Sequence, residues 1–452
     1  MKIKFLGASG FVTGSCYLLT DDSGHGVMVD MGMFQGLDKI KDLNLTLPDV
    51  DYSNLDGVIL THAHLDHCGR LPLLAKTGFI GKIYMTQATS VLTELALLDS
   101  AKIASEDRKE TPLFTSFEVE EILKNIQIVD YGQGFKIGNF DVVFRDAGHI
   151  LGSASIEVKN QGSRDSVEKI TFSGDLGNTP EDLLKPTELI KDAEVVVMES
   201  TYGDRIHSNE NASQVLTEEI NSIEESGGVL LIPAFSVERS QEILHTMDHL
   251  KRQGKIQKQT NVFLDSPLAI KATQVYREFR NLYSKELAEH SENDDPFDFP
   301  GLVPVESVKE SRMIHGMEGS KVIIAGSGMM TGGRILDHAG FYLPLISTRL
   351  LIVGYQAEGT LGRYILDGAK SVRIYGQRVE INASIRKSSG MSAHADQPRL
   401  IKWLGNIEGV KKVFLTHGDD IARQVLARLI EDRFIDIEDV FLPILNEEKN
   451  LG

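Results

Sequence analysis

The sequence holds only 2 cysteines, Cys16 and Cys68, among 452 residues. So few cannot staple a chain of this size, which excludes a disulfide framework and favours a reducing, cytoplasmic compartment. No apolar run approaches the roughly 20 residues that a bilayer-spanning helix requires. The opening stretch, MKIKFLGASG, lacks the apolar segment and cleavage site of a signal peptide and reads as a strand followed by a glycine turn. Basic residues are also scarce: 47 Lys and Arg face 65 Asp and Glu, a formal net charge of −18. That balance excludes a protein that holds nucleic acid by bulk electrostatics. Any grip on nucleic acid must come from a local basic cleft or from metal ions, with most of the acidic side chains on solvated surface.

What remains is an ordinary globular composition, 41% hydrophobic and 25% charged, in a chain too long for one simple core. The first 200 residues alternate short apolar strands with turns. Strands are expected at 2–6, 15–19, 27–30, 58–61, 82–85, 141–145, 169–173 and 194–198, and helices at 89–105 and 116–124. After about residue 205 the rhythm becomes strand, loop, helix: 229–232 with 236–251, 262–264 with 269–290, 322–325 with 333–339, and 351–353 with a short piece near Arg363. Such alternation implies a parallel sheet with helices on both faces and sites at the carboxyl ends of its strands. From about residue 379 the pattern is strand-rich again, followed by helices at 397–404 and 421–432. The segment 291–300, SENDDPFDFP, is acidic and proline-containing and is expected as an exposed loop. No internal repeat is visible.

The chemistry concentrates in THAHLDH at 61–67, directly after a predicted strand. His62, His64, Asp66 and His67 place three of the 13 histidines within six positions. Imidazole and carboxylate are good Zn²⁺ ligands, and four of them in one loop can serve two adjacent metal positions. Four more loops each follow a strand and offer one further candidate: His149 in DAGHILGSAS, Asp175 in FSGDLG, His394 in GMSAHAD and His417 in VFLTHGD. Each of these alone is equally compatible with a packed or solvated residue; together they form a constellation of seven or eight ligands. Asp30, at the end of a strand, is expected to orient a ligating histidine through its second ring nitrogen. A metal pair lowers the pKa of a water and clamps an anionic transition state, which suits a phosphodiester better than an amide. An alkoxide leaving group also needs a proton donor, so one histidine should stand outside the ligand set. Cys68 is expected to pack as a small apolar residue beside the site.

With these motifs the chain resembles the metallo-β-lactamase superfamily, whose signature is HAHLDH at 62–67, and within it the β-CASP nucleases. The second resemblance spans the whole chain: Glu199 in MESTYGDR, His394 in GMSAHAD and His417 in LTHGD match that family's successive motifs, and LIPAFSVERSQEIL, DSPLA, GSGMMTGGR and GYQAEGTLGR match its inserted domain. The resemblance implies an α/β fold, an αββα sandwich of residues 1–205 and 384–452 with a Rossmann-like β-CASP domain at 206–383 and the site in the cleft between them. It implies two Zn²⁺ per chain. His62, His64 and His149 would hold one, and Asp66, His67 and His417 the other, with Asp175 bridging. His394, positioned by Glu199, would protonate the leaving oxygen, so that Asp66, His394 and Glu199 form the catalytic set. The histidine at 417 is similar to RNA-processing members, and the likeness extends to the endonuclease subunit of the mRNA 3′-end cleavage and polyadenylation factor in a short prokaryotic form. The expected reaction is hydrolysis of single-stranded RNA to 5′-phosphate and 3′-hydroxyl ends, with homodimerisation implied by family analogy alone. Ser327, with the backbone N–H groups after it, and Arg239, Arg334 and Arg363 are candidates for phosphate contact, each equally readable as structural. Glu238 departs from the family's small residue at that position and is expected to add a carboxylate near the RNA path.

Overall fold

The VVVM run at 195–198 explains much of the architecture. Successive side chains of a strand point to opposite faces, so a strand covered on both sides must be apolar at every position. Val195 and Val197 enter one buried cluster and Val196 and Met198 another. The computed structural model describes residues 1–36, 38–106, 111–161, 169–178, 183–207, 210–388 and 390–452. They form two compact units, Met1–Ile206 with His394–Gly452, and His207–Ala393.

The first unit contains two seven-stranded sheets. One runs, in spatial order, Glu448–Asn450, Lys2–Phe5, Tyr17–Thr20, Gly26–Val29, Leu55–Ile59, Lys82–Met85 and Ile126–Ile128. The other runs Asp439–Phe441, Lys412–Thr416, Val195–Glu199, Lys169–Phe172, Ala154–Asn160, Phe140–Asp146 and Phe135–Ile137. Ile3, Phe5, Leu19, Val27 and Val29 from the first meet Phe144, Ile156, Phe172, Val197 and Phe414 from the second in a shared core. Helices Gln87–Glu106 and Ser116–Leu123 cover the outer face of the first sheet through Leu97, Ala101, Val119 and Ile122. Helices Gln397–Leu404 and Asp420–Arg433 cover the second through Leu400, Trp403, Leu426 and Ile430. The result is the four-layer αββα sandwich. Both sheets are parallel in the half that leads to the THAHLDH loop and to His417, so several strands deliver their carboxyl ends to one edge. Among the described residues no helix is long and apolar enough to cross a membrane.

The second unit is a six-stranded, wholly parallel sheet in the order Leu302–Pro304, Asn261–Asp265, Lys321–Ala325, Val229–Pro233, Thr348–Ile352 and Ser384–Lys387. Helix Arg334–Tyr342 packs Ile335, Ala339 and Tyr342 against it.

Several expectations need correction. The strand at Ser384–Lys387 pairs along Thr348–Ile352, so the chain returns to the sandwich at 393/394 rather than at 384. The single helix expected over 269–290 is two, Pro267–Glu278 and Lys285–Asn293. Phe279 leaves helical geometry, and Ser284 caps the second helix by accepting from the Leu287 N–H at 3.2 Å. The segment 291–300 is no exposed loop: the helix runs to Asn293, and Phe297 is fully buried with its ring edge-on to Tyr276 and Tyr283. Among the elements that escape the sequence pattern are one strand and one helix with a physical reason. Strand Ala154–Asn160 carries Glu157 and Lys159, which break its apolar reading, although Glu157 is ion-paired with Arg145 and Lys169. Helix Ala212–Ser226, capped by Asn211 and ended by Gly227 at φ +67°, has only a narrow apolar stripe.

Phe414 lies in the intersheet core with ring centroids 5.1 Å from Phe5 and 4.8 Å from Phe441. Phe414→Ala is expected to destabilise the first unit by about 3–5 kcal/mol, through lost transfer energy and an unfilled cavity. A lowered urea midpoint checks this; an unchanged midpoint contradicts the placement of the core.

Candidate metal centre

The edge where these strands end gathers the site. Leu55–Ile59 leads through Thr61 into His62, and His64 caps the single helical turn Leu65–Cys68, which carries Asp66 and His67. Phe140–Asp146 leads through Gly148 to His149. Lys169–Phe172 leads to Asp175 by way of Gly174, whose φ of +58° and 2.8 Å approach of a hypothetical Cβ to the Ala154 carbonyl leave no room for a side chain. Lys412–Thr416 ends at His417, which itself adopts φ +47° and so turns its ring inward. Asp30, at φ +59°, does the same after Gly26–Val29. Left-handed backbone at non-glycine residues is costly, and both sit where a side chain must be aimed.

The donor atoms fall into two groups that share one carboxylate. In the first, His62 Nε2 and His149 Nε2 lie 3.1 and 3.2 Å from His64 Nδ1, and 3.5 and 3.6 Å from Asp175 Oδ2. In the second, His67 Nε2 lies 3.3 Å from His417 Nε2 and 3.3 Å from Asp175 Oδ2, while His417 Nε2 lies 3.4 Å from Asp66 Oδ2. Nitrogens bound at about 2.0–2.1 Å to one tetrahedral ion stand about 3.3 Å apart, the spacing found in both groups. The donor set, five imidazoles with two carboxylates, fits two zinc ions.

The remaining ring nitrogens are turned away from the cluster. Asp30 Oδ2 is 2.7 Å from His67 Nδ1, and the same carboxylate accepts from the Thr61 N–H at 2.8 Å and from its hydroxyl at 2.9 Å. Thr61 Oγ1 lies 3.1 Å from His62 Nδ1, and Thr201 Oγ1 lies 3.1 Å from His417 Nδ1. Each contact fixes the tautomer that leaves Nε2 facing the cluster. Thr61 and Thr201 were not singled out from the sequence; a hydroxyl residue adjoining a motif residue at a strand end is the signal that marks them.

Electrostatics follow from burial. Burial holds the His64 pKa down to about 4, so this ring is neutral and able to ligate. Burial pushes Asp175 upward, but the surrounding imidazoles, His417 and His67 foremost, outweigh it and keep the carboxylate ionised.

His394 stands differently. Its Nδ1 is 3.1 Å from Glu199 Oε2 and 3.9 Å from Asp175 Oδ2. Glu199 is buried, accepting from the Leu176 N–H at 2.6 Å. Burial lowers the pKa of His394, but the Glu199 and Asp175 carboxylates prevail and raise it to about 9. Asp175, Glu199, His394 and His417 also come together as a group. Cys68 is buried, its thiol donating to the Ala63 carbonyl at 3.4 Å.

The expected substrate contacts fare unevenly. Arg334 is spent on Asp265 and on the Val305 and Glu306 carbonyls, and Arg239 is buried and paired with Glu242. Both guanidinium groups serve the interior of the second unit. Arg363 is accessible but pairs with Asp367 at 3.0 Å. At the turn after Ser327, the Ser327 N–H donates to the Gly332 carbonyl, the Met330 N–H to the Ser327 carbonyl and the Thr331 N–H to the Ser327 hydroxyl, so these three are already engaged. Glu238 is buried with the Tyr276 hydroxyl donating to its carboxylate, so its side chain faces the interior of the second unit rather than solvent.

Comparison with known proteins is consistent along the chain. Residues 9–214 match the metallo-beta-lactamase superfamily, 240–365 the Beta-Casp domain, and 378–443 the Zn-dependent metallo-hydrolase RNA specificity domain. The chain is 37% identical over 433 residues to Ribonuclease TTHA0252 of Thermus thermophilus, covering 95% of this chain and 96% of that protein. It is 31% identical to the Transcription termination factor FttA of Methanocaldococcus jannaschii, covering 93% and 67% respectively. It is 30% identical to an RNase J-like protein of the same archaeon, covering 98% and 99%. A crystal structure of a protein of unknown function from Enterococcus faecalis shares the fold, with a TM-score of 0.53 at 13% identity over 99% of both chains.

Because Asp175 Oδ2 serves both donor groups, Asp175→Ala is expected to release both zinc ions of this cluster. Elemental analysis would read a loss of two equivalents relative to wild type; loss of one would contradict sharing. Asp30→Asn is expected to weaken zinc at the His67 position about 10–100-fold by chelator competition, with little change at the His62 position.

Proposed function

The chain belongs to the β-CASP family of the metallo-β-lactamase superfamily, and from that premise we propose how its own residues divide the work of cutting RNA. It is a metal-dependent hydrolase, a zinc-dependent RNA nuclease acting on phosphodiester bonds of single-stranded RNA. The observation that carries the assignment of roles is the contrast between Asp175 and His394: one oxygen of the first serves two donor groups, while the second pairs with Glu199 instead.

In this reading His62, His64 and His149 would hold one zinc and Asp66, His67 and His417 the other, with Asp175 available to both. Zinc held so supplies a water of lowered pKa and offsets charge building on the phosphate oxygens. The water loses a proton to solvent as its oxygen adds to phosphorus and the bond from phosphorus to the 3′ oxygen breaks. His394 keeps one proton on Nδ1 toward Glu199 and delivers the other, from Nε2, to the departing 3′ oxygen. The fragments then end in a 3′-hydroxyl and a 5′-phosphate. Glu199 acts through His394, fixing the ring and favouring its charged form. Asp66 ties the chemistry to the metal position nearest His417. Internal cleavage, the more specific part of the reading, draws on the likeness to RNA-processing members. In the second unit Ser327 and Arg363, both accessible, are the remaining side chains suited to an RNA backbone.

His394→Ala is expected to cut the rate on a 5′-labelled single-stranded RNA by roughly 10²–10⁴-fold while zinc content matches wild type. Loss of zinc together with activity would make His394 a ligand and overturn its role. The lengths of the labelled fragments separate internal cuts from trimming at an end.

A further inference from the structure

The second unit carries another convergence of imidazoles. His245 and His249 lie four residues apart on one face of helix Arg239–Arg252, and His290 approaches from helix Lys285–Asn293. His249 Nε2 lies 3.2 Å from His245 Nε2, and the His290 ring centroid lies 5.3 Å from that of His245 and 5.1 Å from that of His249. The 3.2 Å separation equals, within a tenth or two of an ångström, the roughly 3.3 Å between two nitrogens on one tetrahedral zinc.

The surroundings have the features of a ligand set rather than of a packed aromatic cluster. His245 is 3% exposed, and burial holds its pKa down to about 3, so it presents a neutral ring. Neither nitrogen of His290 makes a hydrogen bond although both are buried. Asp248 Oδ2 lies 3.3 Å from His290 Nε2, and Arg252 anchors the Asp248 carboxylate through Nε at 2.7 and 2.8 Å. A fixed carboxylate beside a ligating imidazole orients the ring for metal. Glu286 Oε1 lies 3.6 Å from His249 Nε2 on an accessible side chain, outside the compact group of the three rings but near enough to turn toward it.

We propose that His245, His249 and His290, with Glu286, form a third metal site on this chain, for a divalent transition ion of the zinc type. Three imidazoles with one carboxylate suit zinc and leave no redox role. The ion would add a bond to the polar contacts Asp248–His290 and Arg252–Asp294 that already join the two helices. Helix Lys285–Asn293 buries only Leu287 and Ser291, so a bond to the longer helix fixes an element that packing alone holds weakly. The site would therefore brace the inserted unit and take no part in RNA hydrolysis.

The test is the zinc content of the full-length protein after gel filtration from excess zinc, paired with amide hydrogen exchange over 285–293. Wild type is expected to hold three zinc ions per chain. His249→Ala, a partly exposed and tolerant position, is expected to hold two, with faster exchange over 285–293 and unchanged RNA cleavage. His290→Gln repeats the test from the other helix should the first variant fold poorly. Two zinc ions in wild type, or equal zinc content and exchange in wild type and variants, would overturn the site and leave the three rings a packed cluster.

Discussion

Seven lone-pair donors pointed into one small buried space cannot stay together without positive charge among them. At the strand ends of the sandwich, five imidazoles and two carboxylates stand in that relation, with neighbouring donors 3.1–3.6 Å apart. Burial lowers the pKa of His62 and His64, so these rings offer lone pairs rather than protons, and metal is the charge that suits the whole donor set. Asp175 is the hinge of the arrangement, because a single oxygen faces donors of both groups. Its position depends on Gly174, and the position of His417 depends on a left-handed backbone at the histidine itself. The two sheets exist, in this sense, to bring parallel strand ends to one edge.

The same constraint reconciles an acidic chain with an RNA substrate. A net charge of −18 gives no general attraction to a polyanion. Charge of the needed sign is supplied locally, by metal and by the raised pKa of His394. The arginines that looked available for phosphate are mostly consumed inside the second unit, Arg334 by Asp265 and two carbonyls, and Arg239 by Glu242. A charged side chain in sequence announces its type but not its partner.

The legibility of the fold and site follows from how local each signal is. The HAHLDH cluster is compact, so its chemistry is readable without any tertiary information. His149, Asp175 and His417 are single residues at strand ends, readable only as members of a set. The strands buried on both faces are evident as continuous apolar runs. Ala154–Asn160 is not, because Glu157 gains its partners from Arg145 and Lys169, 12 residues away on either side. The break at Phe279 and the burial of Phe297 depend on rings brought together only by folding. Thr61 and Thr201, which hold the far sides of two ligating rings, are marked only by standing one residue before His62 and two after Glu199, a weak signal for a common residue type. The strand at Ser384–Lys387 was read with the wrong unit because pattern shows that a strand exists and not which edge receives it.

The most direct test of the account is anomalous scattering at the zinc edge from crystals of the zinc-loaded protein. The account predicts two neighbouring peaks at the strand-end cluster with an oxygen of Asp175 bound to both, His62, His64 and His149 around one, Asp66, His67 and His417 around the other, and His394 bound to neither. A single peak, or a pair that Asp175 does not share, would contradict it.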